Sequence, residues 1–334
     1  MKTLMTRDDF RESVFKRDNF KCVFCDCTED LDAHHLVERR LFTDGGYYLD
    51  NGVTLCQVHH LKAESTELTC SEIREKLNIT KPVLPDDFYD DCQYDKWGNI
   101  YIGKLRTKGP LFFDENVQKI LKGDFTDFVK YPRTYHLPWS ESKTDDDRTL
   151  NNVDHFIGHE VVVTEKLDGE NSTLYPDYFH ARSLDGNGHW TQSWLKNFHS
   201  SFKFDIPTGW RVCGENVFAK HSIKYTELPS YFFCFSIWNN LNWCLSWDET
   251  LEWCDLFGIK HVPVLYEGIF DEEVIRGISL DKNKQEGYVI RKRKAFAYGE
   301  FKSSVAKFVR KNHVQDTVHN WKCSNIEPNE LKKD

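Results

Sequence analysis

A chain of 334 residues that is 40% hydrophobic and 14% aromatic carries enough apolar surface for more than one core, which excludes a disordered chain and predicts two domains. A formal charge of −9 excludes a uniformly basic nucleic-acid coat. No apolar run reaches the roughly 18 to 20 residues of a membrane span and the first nine residues lack the apolar core of a signal peptide, so a globular protein with no membrane partner is expected, with the cytoplasm as its compartment.

The first region, residues 1 to 80, gathers Cys22, Cys25, Cys27, Cys56 and Cys70 with His34, His35, His59 and His60. Cys22-Val23-Phe24-Cys25 and, about thirty residues later, Cys56-Gln57-Val58-His59 form two knuckles whose thiolates and imidazole can close a tetrahedral zinc site. Eleven cysteines, an odd total with one pair at metal-ligand spacing, predict reduced thiols and zinc in preference to a disulfide framework. Residues 71 to 77 read as a short helix capped by Ser71, and the proline-bearing stretch 81 to 87 as a boundary.

Between the knuckles lie Asp32-Ala33-His34-His35-Leu36, Asp44-Gly45-Gly46 and Asp50-Asn51-Gly52, and His60 follows the second knuckle directly. In this order, residues 14 to 64 resemble an HNH nuclease module. The resemblance implies a small ββα-metal fold in which His35 is the general base and His34 and His60 ligate a catalytic divalent ion. It also implies that Asn51 orients the base while Cys22, Cys25, Cys56 and His59 hold structural Zn2+. His59 stands where a fourth cysteine is usual, and imidazole ligates zinc as well. Two readings of the module stay open: one that cleaves RNA or DNA, and one that only binds nucleic acid or packs.

Residues 81 to 129 mix aromatic side chains with turns at Trp97-Gly98-Asn99 and Lys108-Gly109-Pro110, and read as a connector partly packed on the domain that follows. Beyond the acidic run Asp145-Asp146-Asp147, short β-rich runs at 160 to 164, 210 to 214, 231 to 238 and 288 to 292 predict sheets. Lys166 follows the apolar Val161, Val162 and Val163 and lies between Glu165 and Asp168. Partial burial can leave such a lysine neutral and able to attack a nucleotide α-phosphate. The basic segment from Arg291 to Lys294, continued by Lys302, Lys307, Arg310 and Lys311, reads as a phosphate-attracting face, with a plain solvated surface as the alternative for Lys292 to Lys294.

Four segments occur in order: Lys166-Leu167-Asp168-Gly169-Glu170-Asn171, Cys213-Gly214-Glu215-Asn216, Glu286-Gly287-Tyr288-Val289-Ile290-Arg291, and Phe301 to Lys311. Together they resemble the covalent nucleotidyltransferase superfamily of polynucleotide ligases and capping enzymes, from about Lys130 to His313. The resemblance implies that Lys166 is adenylylated, that Glu165, Asp168, Gly169, Asn171 and Arg182 surround the nucleotide, and that Glu215 holds the ribose. It further implies that Phe235 stacks on the purine, that Glu286 directs the metal, and that Lys302 or Lys307 neutralises the α-phosphate.

Asn171, where DNA ligases carry arginine, and the segment from Lys130 to Ser140 resemble RNA ligases. After Lys311 only about 23 residues remain, too few for the oligonucleotide-binding barrel of DNA ligases. The expectation is an α+β chain: an HNH-like zinc module in 1 to 80, a connector in 81 to 129, and in 130 to 334 an RNA ligase-type adenylyltransferase domain of antiparallel sheets with flanking helices. It would use ATP with Mg2+ or Mn2+ and act on RNA through lysyl-AMP. The alternative is a nucleic-acid-binding HNH nuclease whose ligase-like domain senses nucleotide.

Overall fold

The computed structural model describes residues 3–143, 147–184, 189–281, 284–311 and 326–333, and the chain divides into two compact units, Met1–Val129 and Lys130–Asp334. Residues 81–129, read in sequence as a connector, fall inside the first unit. Asp145, Asp146 and His313 lie outside the described residues.

In the first unit, α1 (Arg7–Arg17) starts at Thr6, whose hydroxyl accepts the Asp9 N–H, and buries Phe10 and Val14. The hairpin strands β1 (Leu31–His35) and β2 (Gly52–Cys56) pair antiparallel with His34 opposite Val53 and His35 opposite Gly52. Helix α2 (Gln57–Glu64) begins directly after Cys56, so the second knuckle occupies its first turn. These three elements make the expected ββα order around a core of Cys22, Leu36, Val53, Leu55 and Ile73. Helix α3 (Cys70–Lys76) is capped by Thr69, not by Ser71: Glu72 lies three residues after Thr69 and completes a reciprocal capping box, whereas Arg74 three residues after Ser71 cannot.

The remainder of this unit holds β3 (Tyr101–Ile102), β4 (Leu105–Thr107), α4 (Glu115–Gln118) and β5 (Asp124–Thr126), in sheet order β3-β4-β5. The turn expected at Trp97-Gly98-Asn99 is present. Gly98 takes φ +82°, and the buried Asp95 carboxylate accepts from Trp97, Asn99 and Arg106.

The second unit is built on two sheets. Its elements are β6 (Tyr135–His136), β7 (Glu160–Lys166), β8 (Glu170–Leu174), β9 (Phe179–Ala181), α5 (Ser193–Ser200), β10 (Arg211–Asn216), β11 (Phe232–Trp238) and β12 (Trp243–Cys244). Then follow α6 (Trp247–Phe257), β13 (Lys260–His261), β14 (Val264–Ile269), α7 (Glu272–Arg276), β15 (Gly287–Lys292), β16 (Phe296–Ala297) and β17 (Val305–Val309). Among the described residues one sheet runs β14-β7-β15-β17-β6, and the other runs β16-β12-β11-β10-β8-β9 with β13 beside β11. Pairing is antiparallel except at β17–β6 and β11–β13.

Alternation along the strands decides what each face does. Val161, Val163, Tyr288 and Ile290 pack on one face of the five-stranded sheet with Phe156 and Ile275. The other face, bearing Val162, meets Phe233 and Val217 of the larger sheet and the loop after it. Helices α5 and α6 cover the far side of the larger sheet, where Leu195, Phe202, Cys254 and Phe257 meet Val212, Phe232 and Cys234. Burying each large apolar side chain contributes about 2 kcal/mol, so these layers hold the strand ends in place.

The two arginines of the basic run from Arg291 to Lys294 are turned to structural partners instead of offering a phosphate face. Arg291 is buried and donates to the Phe235 and Leu245 carbonyls, and Arg293 is paired with Asp248 and Glu267. Both arginines lie on or just past a central strand, and residues distant in sequence supply their acceptors, which composition alone does not reveal.

Candidate functional site

Two constellations stand in the first unit. Ligand atoms of Cys22, Cys25, Cys56 and His59 all lie within 4.8 Å of one another. Cys25 Sγ is 3.7 Å from Cys56 Sγ, and His59 Nδ1 is 3.5 Å from Cys22 Sγ and 3.4 Å from Cys56 Sγ. A tetrahedron with zinc–sulfur bonds of about 2.3 Å and a zinc–nitrogen bond of about 2.0 Å has edges of roughly 3.8 Å and 3.5 Å, so this donor set fits zinc. Burial would push the Cys56 thiol up, but hydrogen bonds from His59 and from Cys25 and Cys22 bring it down to about 6, toward the thiolate a metal needs.

The second constellation joins His34, His60 and Glu64. Glu64 Oε1 is 3.5 Å from His34 Nδ1 and 3.4 Å from His60 Nε2, and Lys96 Nζ reaches the same oxygen at 3.0 Å. Glu64 and Lys96 are absent from the sequence reading. Glu64 had a signal, since it lies one helical turn after His60 and so shares its face; Lys96 had none, being far away in sequence. Burial would raise Glu64, yet His60 and Lys96 hold it below its ordinary range. Burial, joined by Lys96, lowers His34 well below its usual value. Two imidazoles and a carboxylate form a set that can hold a divalent ion.

His35 lies outside that cluster. It points the other way along β1, stacks on Phe10 at 4.6 Å and abuts Tyr47, and burial with Lys96 draws it down to about 4. The Asn51 side chain makes its hydrogen bonds elsewhere. The Asn51 amide is buried, donates to the Val37 and Gly46 carbonyls and accepts from the Val37 N–H, so it braces the loop after His35.

In the second unit the site forms where β7 ends. Lys166 is opposite Gly287, which is opposite Val309; Lys307, two residues before Val309, therefore faces the same side as Lys166. Glu165, one residue out of phase, faces away and accepts from Gln285 at 3.0 Å. Gly287 is required here because a Cβ would stand 1.9 Å from the Phe308 carbonyl oxygen. Lys166 Nζ donates to Glu286 Oε2 at 2.5 Å. Burial alone would lower the lysine, but Glu286, Glu215 and Asp168 outweigh it and hold the ammonium above its ordinary value. The neighbouring carboxylates thus favour the charged form, where partial burial by itself would favour the neutral amine.

The chain crosses from the five-stranded to the larger sheet in the three residues Leu167, Asp168 and Gly169. Burial would raise Asp168, but Ser222 and Ile223 donate three hydrogen bonds to its Oδ2, of 2.6 to 2.9 Å, and hold it low. The Gly169 N–H donates to Glu215 Oε1 at 3.2 Å, and a Cβ on Gly169 would stand 2.5 Å from the Asn216 carbonyl oxygen. Glycine is needed there by the approach of β10. Burial, opposed by Lys166 and reinforced by Glu286 and Asp168, raises Glu215 to about 8. Three carboxylates thus act on one ammonium, with Glu286 engaged by Lys166 and Asp168 by Ser222 and Ile223.

The remaining candidates divide. Asn171 pairs with Glu215 across β8 and β10, and its Oδ1 is buried without a hydrogen-bond partner among the described residues. Lys307 feels Lys166 and Glu286, donates to Asp147 at 2.9 Å and is lowered by burial. Lys302 instead lies over the Tyr135 ring at 4.7 Å. Phe235 is half-buried with Tyr131 edge-on at 5.0 Å. Arg182 is exposed just past β9. Sequence reasoning missed Ser222, Tyr225 and His221, which gather around Asp168 from a loop with no recognisable motif.

Among solved structures the chain is similar to a Naegleria gruberi RNA ligase variant with ATP and Mn, at 18% identity and TM-score 0.36 over 55% of this chain and 56% of that one. It is similar to an archaeal ATP-dependent RNA ligase at 16% identity and TM-score 0.37, over 55% and 48%. The Naegleria gruberi RNA ligase with PPi aligns over 91% of this chain and 82% of that one at 16% identity and TM-score 0.42. In the first two alignments the chain spans about half the length of the protein it matches. No curated protein matches in sequence. Residues 159–309, which contain Lys166, Glu215, Glu286 and Lys307, match the family model described as RNA ligase.

Proposed function

We propose that the second unit is an ATP-dependent RNA ligase domain that seals 5′-phosphate and 3′-hydroxyl ends through lysyl-AMP. The observation that carries this reading is the convergence of Glu286, Glu215, Asp168 and Lys307 on Lys166 inside a segment that matches the RNA ligase family model. Lys166 Nζ, after giving up its proton, attacks the α-phosphorus of ATP. A P–N bond forms as the bond to the bridging oxygen breaks, and pyrophosphate leaves with the electron pair. A 5′-phosphate oxygen of RNA then attacks the same phosphorus and frees the lysine. Last, the 3′-hydroxyl attacks the activated 5′-phosphate and AMP departs.

Glu286 would direct a magnesium or manganese ion, which would supply neutralisation of phosphate charge, and Glu215 would hold the ribose. Lys307 meets the α-phosphate from the same sheet face as Lys166, a role Lys302 is less well placed to fill. Positioning and electrostatics contribute most, because in-line displacement at phosphorus needs little proton transfer from the protein. Asn171 lines the pocket beside Glu215, Phe235 offers an apolar wall, and Arg182 stands at the rim for the nucleotide or the RNA end.

The first unit we read as an HNH-like module in which Zn2+ on Cys22, Cys25, Cys56 and His59 ties the first knuckle to the hairpin and α2. His34, His60 and Glu64 would hold a second divalent ion, and there an RNA or DNA end would be bound or trimmed. The deciding experiment incubates the protein with α-labelled ATP and magnesium and resolves it under denaturing conditions beside Lys166→Ala. Acid-labile label on the wild type and none on the variant is the expected result. Label or RNA joining retained by Lys166→Ala would overturn the lysyl-AMP reading.

A further inference from the structure

The loop at 217–231 forms neither helix nor a strand of the two sheets, yet it is held by many backbone hydrogen bonds, and residues 327–332 supply most of the partners. The Lys220 N–H donates to the Glu327 carbonyl at 2.8 Å, the Asn329 N–H to Phe218 at 2.8 Å, the Glu330 N–H to Tyr225 at 2.9 Å, and the Lys332 N–H to Leu228 at 2.9 Å. Leu228 in turn donates to Glu330 at 3.1 Å. Lys224 binds Glu327 and Glu330 and donates to the Pro328 carbonyl, and Lys220 pairs with Glu327.

Asn329 is the centre of this contact and is 2% exposed. Its Oδ1 accepts the Tyr225 N–H at 2.9 Å, its Nδ2 donates to the Val217 carbonyl at 2.8 Å, and its own carbonyl accepts from the Tyr231 hydroxyl at 2.9 Å. On the opposite side the same loop grips the turn after Lys166. The Tyr225 hydroxyl accepts the Asp168 N–H at 3.0 Å, while Ser222 and Ile223 donate to the Asp168 carboxylate. The path from Asn329 to Asp168 thus runs through one residue, Tyr225, by its main chain at one end and its phenol at the other. Asp168 lies two residues from Lys166.

We propose that residues 327–332 are a clasp on the 217–231 loop and that Asn329 is a positioning residue which, through Tyr225, fixes the Asp168 turn beside Lys166. The catalytic part of this proposal rests on the ligase reading above; the clasp does not. A buried amide that satisfies both edges of a loop holds it in one arrangement, and its loss leaves the loop's donors and acceptors to water. Misplacing a nucleophile by about 1 Å can cost about 100-fold in rate.

The test uses the full chain with Asn329→Ala, and a chain ending at Ile326 with and without the peptide Glu-Pro-Asn-Glu-Leu-Lys-Lys-Asp added in trans. Three readouts are taken: the rate of lysyl-AMP formation at saturating ATP with its KM, the melting midpoint, and amide hydrogen exchange at Tyr225 and Asp168. Asn329→Ala should slow labelling by about ten-fold or more with KM for ATP within a few-fold, and should speed exchange at both amides. The peptide should restore rate and protection to the shortened chain. Unchanged labelling, or unchanged exchange at Asp168, overturns the proposal; if the shortened chain does not fold, Asn329→Ala decides. A wild type that takes no label sinks the ligase reading, and faster exchange at Asp168 in Asn329→Ala then still supports the clasp.

Discussion

At the scale of single residues, the two candidate phosphate lysines differ in what surrounds them. Lys307 is drawn into the field of Lys166 and Glu286 and held by Asp147, while Lys302 is exposed over an aromatic ring. Lys307→Ala should therefore slow lysyl-AMP formation by about 100-fold, the scale of losing one preorganised charge at a reacting phosphate. Lys302→Ala should stay within about five-fold, since an exposed cation–π contact is worth only about 0.5–1 kcal/mol. Single-turnover labelling of both variants checks this, and equal defects would count against the assignment. Glu64, which no motif announced, carries a parallel expectation. Glu64→Gln should weaken manganese binding to the His34–His60 pair by about ten-fold or more, read by titration against the wild type with the zinc knuckles loaded in both.

At the scale of elements, the knuckles, hairpin and α2 share a small core, and Cys22, Cys25, Cys56 and His59 beside it would let a zinc ion tie them together. Chelation, or Cys56→Ser, should melt this assembly, because a structural zinc site is part of the folding free energy and not an addition to it. Loss of helical signal upon chelation, restored by zinc, is the expected observation. Helix α5 offers a pH probe. Burial lowers His199 below its ordinary value, although its Nε2 donates to the Tyr175 carbonyl at 2.7 Å. A histidine depressed in the folded state is protonated first in the unfolded chain. Its contribution is thus complete above about pH 6.5 and is lost as pH falls below that toward the folded value. The melting midpoint should drop between pH 7 and 5, less steeply in His199→Gln.

Much of this was legible in sequence, for reasons that differ by element. The strands were readable because Val161 to Val163 and Phe232 to Phe235 are β-branched or aromatic runs bounded by turns. The knuckles were readable because metal ligands must keep a short spacing, and the turn at Lys166 because its neighbours are charged residues on an apolar strand. Invisible were contacts whose partners are far apart in the chain: Lys96 against Glu64, Asn329 against Tyr225, and the acceptors that bury Arg291. Local pattern reports a side chain's period and chemistry. It does not report which distant carbonyl will face it, so the basic run looked like a binding surface and the 217–231 loop looked like nothing.

At the scale of the whole molecule, two compact units predict two transitions in calorimetry, of which chelation should lower only that of Met1–Val129. Expressed alone, Lys130–Asp334 should fold and take label from α-labelled ATP at a rate within a few-fold of the full chain; an unfolded or inert fragment would contradict this. Among the described residues no helix is long and apolar enough to cross a membrane. The ladder that aligns β7, β15 and β17 has a meaning beyond stability. Because neighbouring positions on a strand face opposite ways, inserting one residue between Val305 and Lys307 would leave the count of main-chain bonds nearly unchanged while turning the Lys307 ammonium to the wrong side of the sheet. Parity, and not only proximity, is therefore part of what selection must preserve in these strands.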